Sequence, residues 1–405
     1  LDQTSDVVIT RAKLEPKSLS YGALLHAEAK VSLEYDTRGQ MIEIVDSTQL
    51  RSSHGFAYVK IDEFGQGVND EFRSSLDAMI QEGNVNGLII DLRGNPGGIL
   101  QESVQILDYL LESNITVVQT KGRLKEYNAN YVTREDIKFS GPVVVLINEG
   151  SASASEIVSG VIQDLDRGVI LGETSFGKGL VQIVKPLPYN NSMKYTISRY
   201  YIPSGRSIQS VDYLHDTMQS TRSRNGEETM YKTSKGRLVR GGRGVEPDVS
   251  MNPNLLDSFQ SELLRLGFVK DYIQTASIKD ASVINDQFIQ NQVEDFMTTF
   301  DARELQTWKR MIQRADSLAE QLELSYVLDS NIEESLQRIY DRIDSQAQQF
   351  LLSKKGEIGT LFELEYTRFY EGNRVWKRTS LAHDALVIKA LELLDDAALY
   401  SSYLN

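Results

Sequence analysis

Four serines crowd one short stretch, NEGSASASEIVSG, directly after the apolar run GPVVVLIN: Ser151, Ser153, Ser155 and Ser159. Serine is favoured at helix starts, where its oxygen accepts an orphan backbone N–H, so capping and close packing account for such a cluster by themselves. A second reading makes one hydroxyl a nucleophile at a strand-to-helix turn. There the positive helix end and nearby amides would stabilise an oxyanion. The residue types do not say which of the four it would be. A hydroxyl nucleophile also needs a base. The chain has four histidines, His26, His54, His215 and His383, and all lie outside the compact α/β stretch 87–182. No local signature links any of them to a serine and a carboxylate.

The other candidate base is Lys178, set between two glycines in GETSFGKGLVQ. A lysine in such a loop is ordinarily a solvated surface residue. If it turned into an apolar pocket instead, its ammonium would be disfavoured, and the neutral amine could take a serine proton. The expectation is therefore a dry pocket around Lys178. The same stretch matches the G-x-x-x-x-G-K of a phosphate loop, but Gly179 stands where Ser or Thr is required, and LVQIVKP reads as a strand rather than a helix. A nucleotide site is rejected on both grounds. Upstream, DLRGNPGG at 91–98 is either a plain strand-to-helix turn or a set of open amides able to hold a carbonyl oxygen.

Several elements must position these groups. Phe56 to Ile61 alternates as a strand, and Asp70 to Gln81 places Phe72, Leu76, Met79 and Ile80 on one helical face, with Gly83 to end it. GLIIDL at 87–92, 115–120, GPVVVLIN at 141–148 and GVILG at 168–172 read as strands, separated by glycine turns and helices. That succession predicts a largely parallel α/β core. Residues 27–35 and 40–45 alternate like a hairpin, and DVVIT at 6–10 reads as a lone strand. Residues 180–188 and 193–202 form a β-rich annex, and 204–243 read as a polar surface excursion. After Asp257 the texture turns to amphipathic helices, with Leu336, Ile339, Ile343, Ala347 and Phe350 in helical register, as are Ala385, Ile388, Leu391 and Leu394.

With 405 residues, two or three domains are expected. A net charge of −14 argues against nucleic acid and against anionic membrane surfaces. The absence of cysteine excludes disulfides, thiol catalysis and thiolate metal sites. No apolar run approaches a membrane span. No leader follows Leu1, as expected of a processed chain.

Taken together, DLRGNPGG, NEGSASASEIVSGVIQDLDRG and GETSFGKGLVQ, with GFAYVKIDEF, YTISRYYIPSGRSIQ and GVEPD, resemble the carboxyl-terminal processing (tail-specific) serine proteases over roughly residues 55–250. The resemblance implies an α/β fold: a crotonase/ClpP-like β-β-α spiral protease core with a β-rich annex and a helical C-terminal region. It implies Ser153 as nucleophile, Lys178 as general base and Gln182 as the residue that steers the lysine. Gly97, Gly98 and Ala154 match the oxyanion donors, with Glu156, Asp164 and Ser175 in support. The implied reaction is endopeptidase cleavage near protein C-termini through an acyl-enzyme, without metal or cofactor. The substrates would be polypeptides with accessible tails, and the compartment the periplasm or cell envelope. The implied domains are 1–54, a PDZ edge remnant (DVVITRA at 6–12) plus hairpin; 55–254, the protease core; and 255–405, a helical domain. The last resembles the variable tails of bacterial envelope relatives of Bacteroidetes type and offers a brace or a contact between copies. Two other readings use the same residues: a silent peptide-binding pseudoprotease, and an acyl-CoA-type enzyme sharing the spiral and an oxyanion hole.

Overall fold

The computed structural model describes residues 18–26, 30–36, 41–45, 55–210, 229–252, 256–275, 284–325 and 330–405. The 6–12 strand expected from the PDZ resemblance lies outside them, as do His54 and His215. The chain divides into two compact units: one runs to Pro253 and takes back Ala385–Asn405, and the other is Asn254–Asp384. The helical domain expected over 255–405 therefore gives up its last segment to the first unit.

The first unit is built on an eight-stranded sheet. Its strands are β1 (Leu19–Leu25), β2 (Val31–Tyr35), β3 (Met41–Ile44), β4 (Gly55–Ile61), β5 (Val85–Asp91), β8 (Val143–Ile147), β9 (Val169–Gly172) and β14 (Val249–Ser250). The order is β14-β9-β8-β5-β4-β1-β2-β3. Pairing is parallel from β14 to β4 and antiparallel from β4 through β3. β1 pairs with β4 along its length, so the segment expected as a separate 1–54 unit extends the core sheet instead. The parallel strands alternate with helices α1 (Val68–Glu82), α2 (Leu100–Leu110) and α3 (Ala154–Asp164).

β8, VVVLI, is buried at every position, as a β-branched strand covered on both faces should be. Leu88 and Ile90 point into the core shared with α1, α2 and α3. Their neighbour Gly87 faces the other way, against Leu394 of α11 (Ala385–Asp395), because successive strand side chains alternate. The buried face of α11 is Leu386, Val387, Ala390, Leu391, Leu393 and Leu394. This face is rotated from the periodicity expected, since Ala385 is exposed and Ile388 half-buried. In α12 (Ala397–Ser402) the Tyr400 hydroxyl accepts from the Val143 amide at 2.9 Å and donates to its carbonyl at 3.0 Å.

The strand expected at 115–120 does not join the parallel core. As β6 (Thr116–Gly122) it belongs to a four-stranded sheet with β7 (Ala129–Val132), β10 (Leu180–Leu187) and β11 (Asn191–Tyr201), in the order β10-β11-β6-β7. Nor is 204–243 simply a polar excursion. It contains the hairpin β12 (Met230–Lys232) and β13 (Leu238–Arg240), and Arg206, Ile208 and Gln209 are buried.

The second unit is helical: α4 (Ser258–Arg265), α5 (Phe268–Thr275), α6 (Asp286–Thr299), α7 (Gln306–Ser325), α8 (Ser330–Ser353), α9 (Lys355–Tyr366) and α10 (Asn373–His383). Its own core includes Phe259, Leu263, Ile273, Val293, Phe296, Leu361, Phe362 and Tyr366. A capping box opens α4: the Asp257 side chain accepts from the Gln260 amide, and Gln260 Oε1 accepts from the Asp257 amide, each at 2.8 Å.

Candidate active site

The parallel strands β4, β5 and β8 each end in a turn that feeds a helix, and two of these turns meet. β8 leads through Asn148–Ala152 into α3, with Ser153 at the helix start. β5 leads through DLRGNPGG toward α2. Asn95 ties the two together: its carbonyl accepts from the Ala152 amide at 2.9 Å and from Ser155 Oγ at 3.0 Å. Its carboxamide donates to the Ile61 carbonyl and accepts from the Gly97 amide, both at 2.9 Å.

The four serines separate cleanly in this setting. Ser151 Oγ donates to the Leu92 carbonyl at 2.8 Å, Ser155 Oγ to Asn95 and Ser159 Oγ to the Ser155 carbonyl at 2.9 Å, and all three residues are fully buried. Ser153 alone is half-buried. It also holds a left-handed backbone, φ 57° and ψ −110°, a conformation that non-glycine residues adopt rarely and chiefly where the surroundings impose it.

Gly97 packs directly against it. A Cβ on Gly97 would lie 2.7 Å from Ser153 Cβ, 2.6 Å from the Ala152 carbonyl oxygen and 2.9 Å from the Ala154 nitrogen, and its φ is +96°. Gly98 has the same requirement toward Phe64, whose carbonyl oxygen would meet an added Cβ at 2.3 Å. Of the three expected oxyanion donors, Gly97 has its amide engaged by Asn95. Its contribution here is the missing side chain rather than a free N–H. The amides of Gly98 and Ala154 have no partner among the described residues.

Glu156 holds the serine turn and the lysine loop as one piece. Its carboxylate accepts from the amides of Ser153 (2.8 Å), Gly177 (2.6 Å) and Lys178 (2.8 Å) and from Ser175 Oγ (2.6 Å). It is completely buried. Burial pushes its carboxyl above the ordinary range, although the four donors favour the charged form. Ser175 Oγ in turn accepts from the Val245 amide at 2.7 Å, which brings GVEPD into the site. A second bridge is Tyr200, whose hydroxyl lies against the carbonyls of Lys178 and Ser153, the latter at 3.3 Å. Burial raises its phenol well above the usual range, so it stays a donor. Gly177 (φ +88°) and Gly179 are pinned as well: the Gly177 carbonyl accepts from the Ser210 amide at 2.9 Å, and the Gly179 amide donates to Gln209 Oε1 at 2.7 Å.

The backbones of Ser153 and Lys178 thus share two bridging side chains, but the Lys178 side chain is not in the dry pocket expected. It is exposed, and its ammonium makes no hydrogen bond or ion pair among the described residues. The same glycines and strand start that fix the loop backbone leave the side chain facing water. Gln182 is exposed too. A bulge between Val181 and Gln182 interrupts the strand alternation, and the Gln182 carboxamide donates to Thr196 Oγ1 at 3.4 Å.

Residues 55–218 match the family model described as peptidase family S41. Residues 55–218 are an S41 peptidase domain. The carboxy-terminal-processing protease of Bartonella bacilliformis is 36% identical over 180 residues, covering 42% of this chain and 40% of the relative. The carboxyl-terminal-processing protease of Synechocystis sp. is 33% identical over 199 residues, covering 48% and 45%. The chain thus spans less than half the length of these curated relatives. Among solved structures, the photosystem II D1 C-terminal processing protease aligns at 23% identity and a TM-score of 0.40, covering 61% of this chain and 52% of that one.

In the S41 domain Asp164 lies at the far end of α3 from Ser153, fully buried in an ion pair with Arg206 (Nη2 to Oδ1, 2.9 Å). Its Oδ2 accepts from the Ser204 amide at 2.9 Å. Arg206 also donates to Gln163 Oε1 at 2.7 Å and to the Arg240 carbonyl at 2.9 Å. Asp164 therefore anchors the helix rather than touching the serine. The two described histidines are occupied elsewhere: His26 Nε2 bonds Ser32 Oγ at 2.8 Å, and His383 Nε2 bonds Glu363 Oε2 at 3.0 Å. Asn95, Tyr200 and Gln209 escaped the sequence reading. Each lies inside a stretch quoted for other reasons, and nothing in its spacing marks a side chain that will fold back onto a neighbouring turn. No cluster of three or more potential metal ligands occurs among the described residues.

Proposed function

We propose that the protein is a serine endopeptidase that cleaves polypeptides near their C-termini through an acyl-enzyme. Ser153 is the nucleophile, Lys178 its base and Gln182 the residue that steers the lysine. The observation carrying this reading is the contrast among the serines: three are buried with committed hydroxyls, and Ser153 alone is half-buried and strained beside two amides without a partner among the described residues. Ser153 Oγ bonds to the scissile carbonyl carbon while its proton passes to Lys178 Nζ. The amides of Ala154 and Gly98 hold the oxyanion. The C–N bond then breaks, and the lysine proton goes to the leaving amine. Water repeats the addition with the same base, releasing the carboxylate and restoring the serine.

Since Lys178 is exposed, the amine must be covered before it can act as this base. A substrate chain lying over the loop would exclude the water. The compartment that accompanies this reading is the periplasm or cell envelope, and the helical unit is its candidate contact between copies. The exposure of Lys178 and the Gln182–Thr196 contact favour one rival, a silent peptide binder built on the same groove. Hydrolysis of an unfolded protein such as casein separates the two. Wild type is expected to cleave it, and Ser153→Ala and Lys178→Ala each to lose about 10³-fold or more with circular dichroism unchanged. Full activity in either variant refutes the dyad, and no turnover by wild type leaves the binder.

A further inference from the structure

β10 and β11 form a ribbon that outruns its sheet. β6 pairs only with Ser198–Tyr201, so the pairs from Gln182↔Thr196 to Leu187↔Asn191 project as two strands with no third among the described residues. A free ribbon should be polar, because both of its faces meet water. This one carries Val184 61%, Leu187 40%, Met193 46% and Tyr189 95% exposed. Val184 faces Lys194 across the ribbon, and Met193 faces Lys185. Since neighbours along a strand alternate, each face of the ribbon holds an apolar side chain beside a lysine. The tip is Pro188-Tyr189-Asn190, and Tyr189 sits at φ 62°. Glycine and asparagine favour that region, and a bulky aromatic there is a costly choice. The most exposed aromatic side chain of the ribbon is thus held outward against its own backbone preference.

Charge points the same way. From Gly177 to Tyr201 there are four cations, Lys178, Lys185, Lys194 and Arg199, and no acid, in a chain of net charge −14. β6 adds Lys121 on the same sheet, its Nζ 4.9 Å from the Tyr201 ring. Bulk charge, which argued against anionic surfaces, conceals this local reversal.

We propose that the β10–β11 ribbon is a membrane-docking finger for anionic phospholipid surfaces. A groove on a protein partner would cover one face of a ribbon. Here each face carries an exposed apolar side chain, Val184 on one and Met193 on the other, as insertion into a headgroup layer requires. From the lysines to the tip is about 10–13 Å of strand, so Tyr189 and Leu187 reach the acyl boundary while Lys185 and Lys194 stay at phosphate level. Among the described residues no helix is long and apolar enough to cross a membrane.

Sedimentation of the 405-residue chain with vesicles tests this independently of catalysis. Binding to phosphatidylcholine vesicles containing phosphatidylglycerol is expected to exceed binding to pure phosphatidylcholine by tenfold or more (about 1 kcal/mol per lysine at the surface) and to fade with salt. Lys185→Glu with Lys194→Glu should weaken it about thirtyfold or more, and Tyr189→Ser with Leu187→Ser about tenfold, with the fold retained by circular dichroism. Tyr189→Trp should show blue-shifted emission on the anionic vesicles. Equal binding to both vesicle types, variants that bind as wild type does, or capture by polyglutamate without vesicle binding would each overturn the proposal; the last would assign the ribbon to an acidic protein.

Discussion

Ser153 combines a left-handed backbone with half-burial at the start of α3, and its strain is separable from its hydroxyl. Ser153→Ala and Ser153→Gly both remove the oxygen, but only alanine keeps a Cβ at φ 57°. The glycine variant should therefore unfold about 1–2 kcal/mol later than the alanine variant in urea, both without activity. Glu156 supplies a pH test. Its folded carboxyl is raised above the ordinary 4.5, so the native state binds the proton more tightly than the unfolded chain does. The cost of charging it is absent below pH 4.5 and grows as pH rises toward the raised value, so this residue lowers stability across that window. Glu156→Gln removes the titration. The stability of wild type relative to the variant should fall from pH 4.5 upward and level off above the raised value, and urea midpoints measured across pH check the sign.

At the scale of elements, two strand–turn–helix units share one apolar core and are also locked together by turn chemistry. Gly97 lets the β5 turn approach Ser153, Asn95 ties it to α3, and Glu156 extends the lock to the Lys178 loop. The other end of α3 is anchored by Asp164 and Arg206, both about 1% exposed. A buried pair stabilises little in net terms, but breaking it strands a charge. Arg206→Met should cost about 3–5 kcal/mol, and Asp164→Asn added to it should recover a large part, as a double-mutant cycle in denaturant would show.

Across the whole molecule, the chain leaves the first unit at Pro253 and returns to it at Ala385. α11 then buries six side chains from Leu386 to Leu394 against the sheet. At about 1.5–3 kcal/mol for each large apolar side chain, this is comparable to the net stability of an ordinary domain. A chain ending at Asp384 should lose cooperative unfolding of the first unit, read by calorimetry, and Tyr400→Phe should cost only about 1 kcal/mol.

The parallel core, its helices and the three turns were legible because each is a local signal: an all-apolar strand, a 3.6-residue stripe, a glycine where φ is positive. The motif resemblance singled out Ser153 among the four serines, and the fold buries the other three. What the sequence could not carry were pairings between distant segments. These put β1 onto β4, β6 into the second sheet, α11 back onto the first unit, and Asn95, Tyr200 and Gln209 behind the site. Lys178 shows the limit most sharply. Its glycine-flanked loop is a local property and was foreseen, whereas which side of that loop meets water depends on Glu156, Tyr200 and Gln209, which only folding brings together. Local chain chemistry sets conformation, and solvent exclusion is a property of the packed whole.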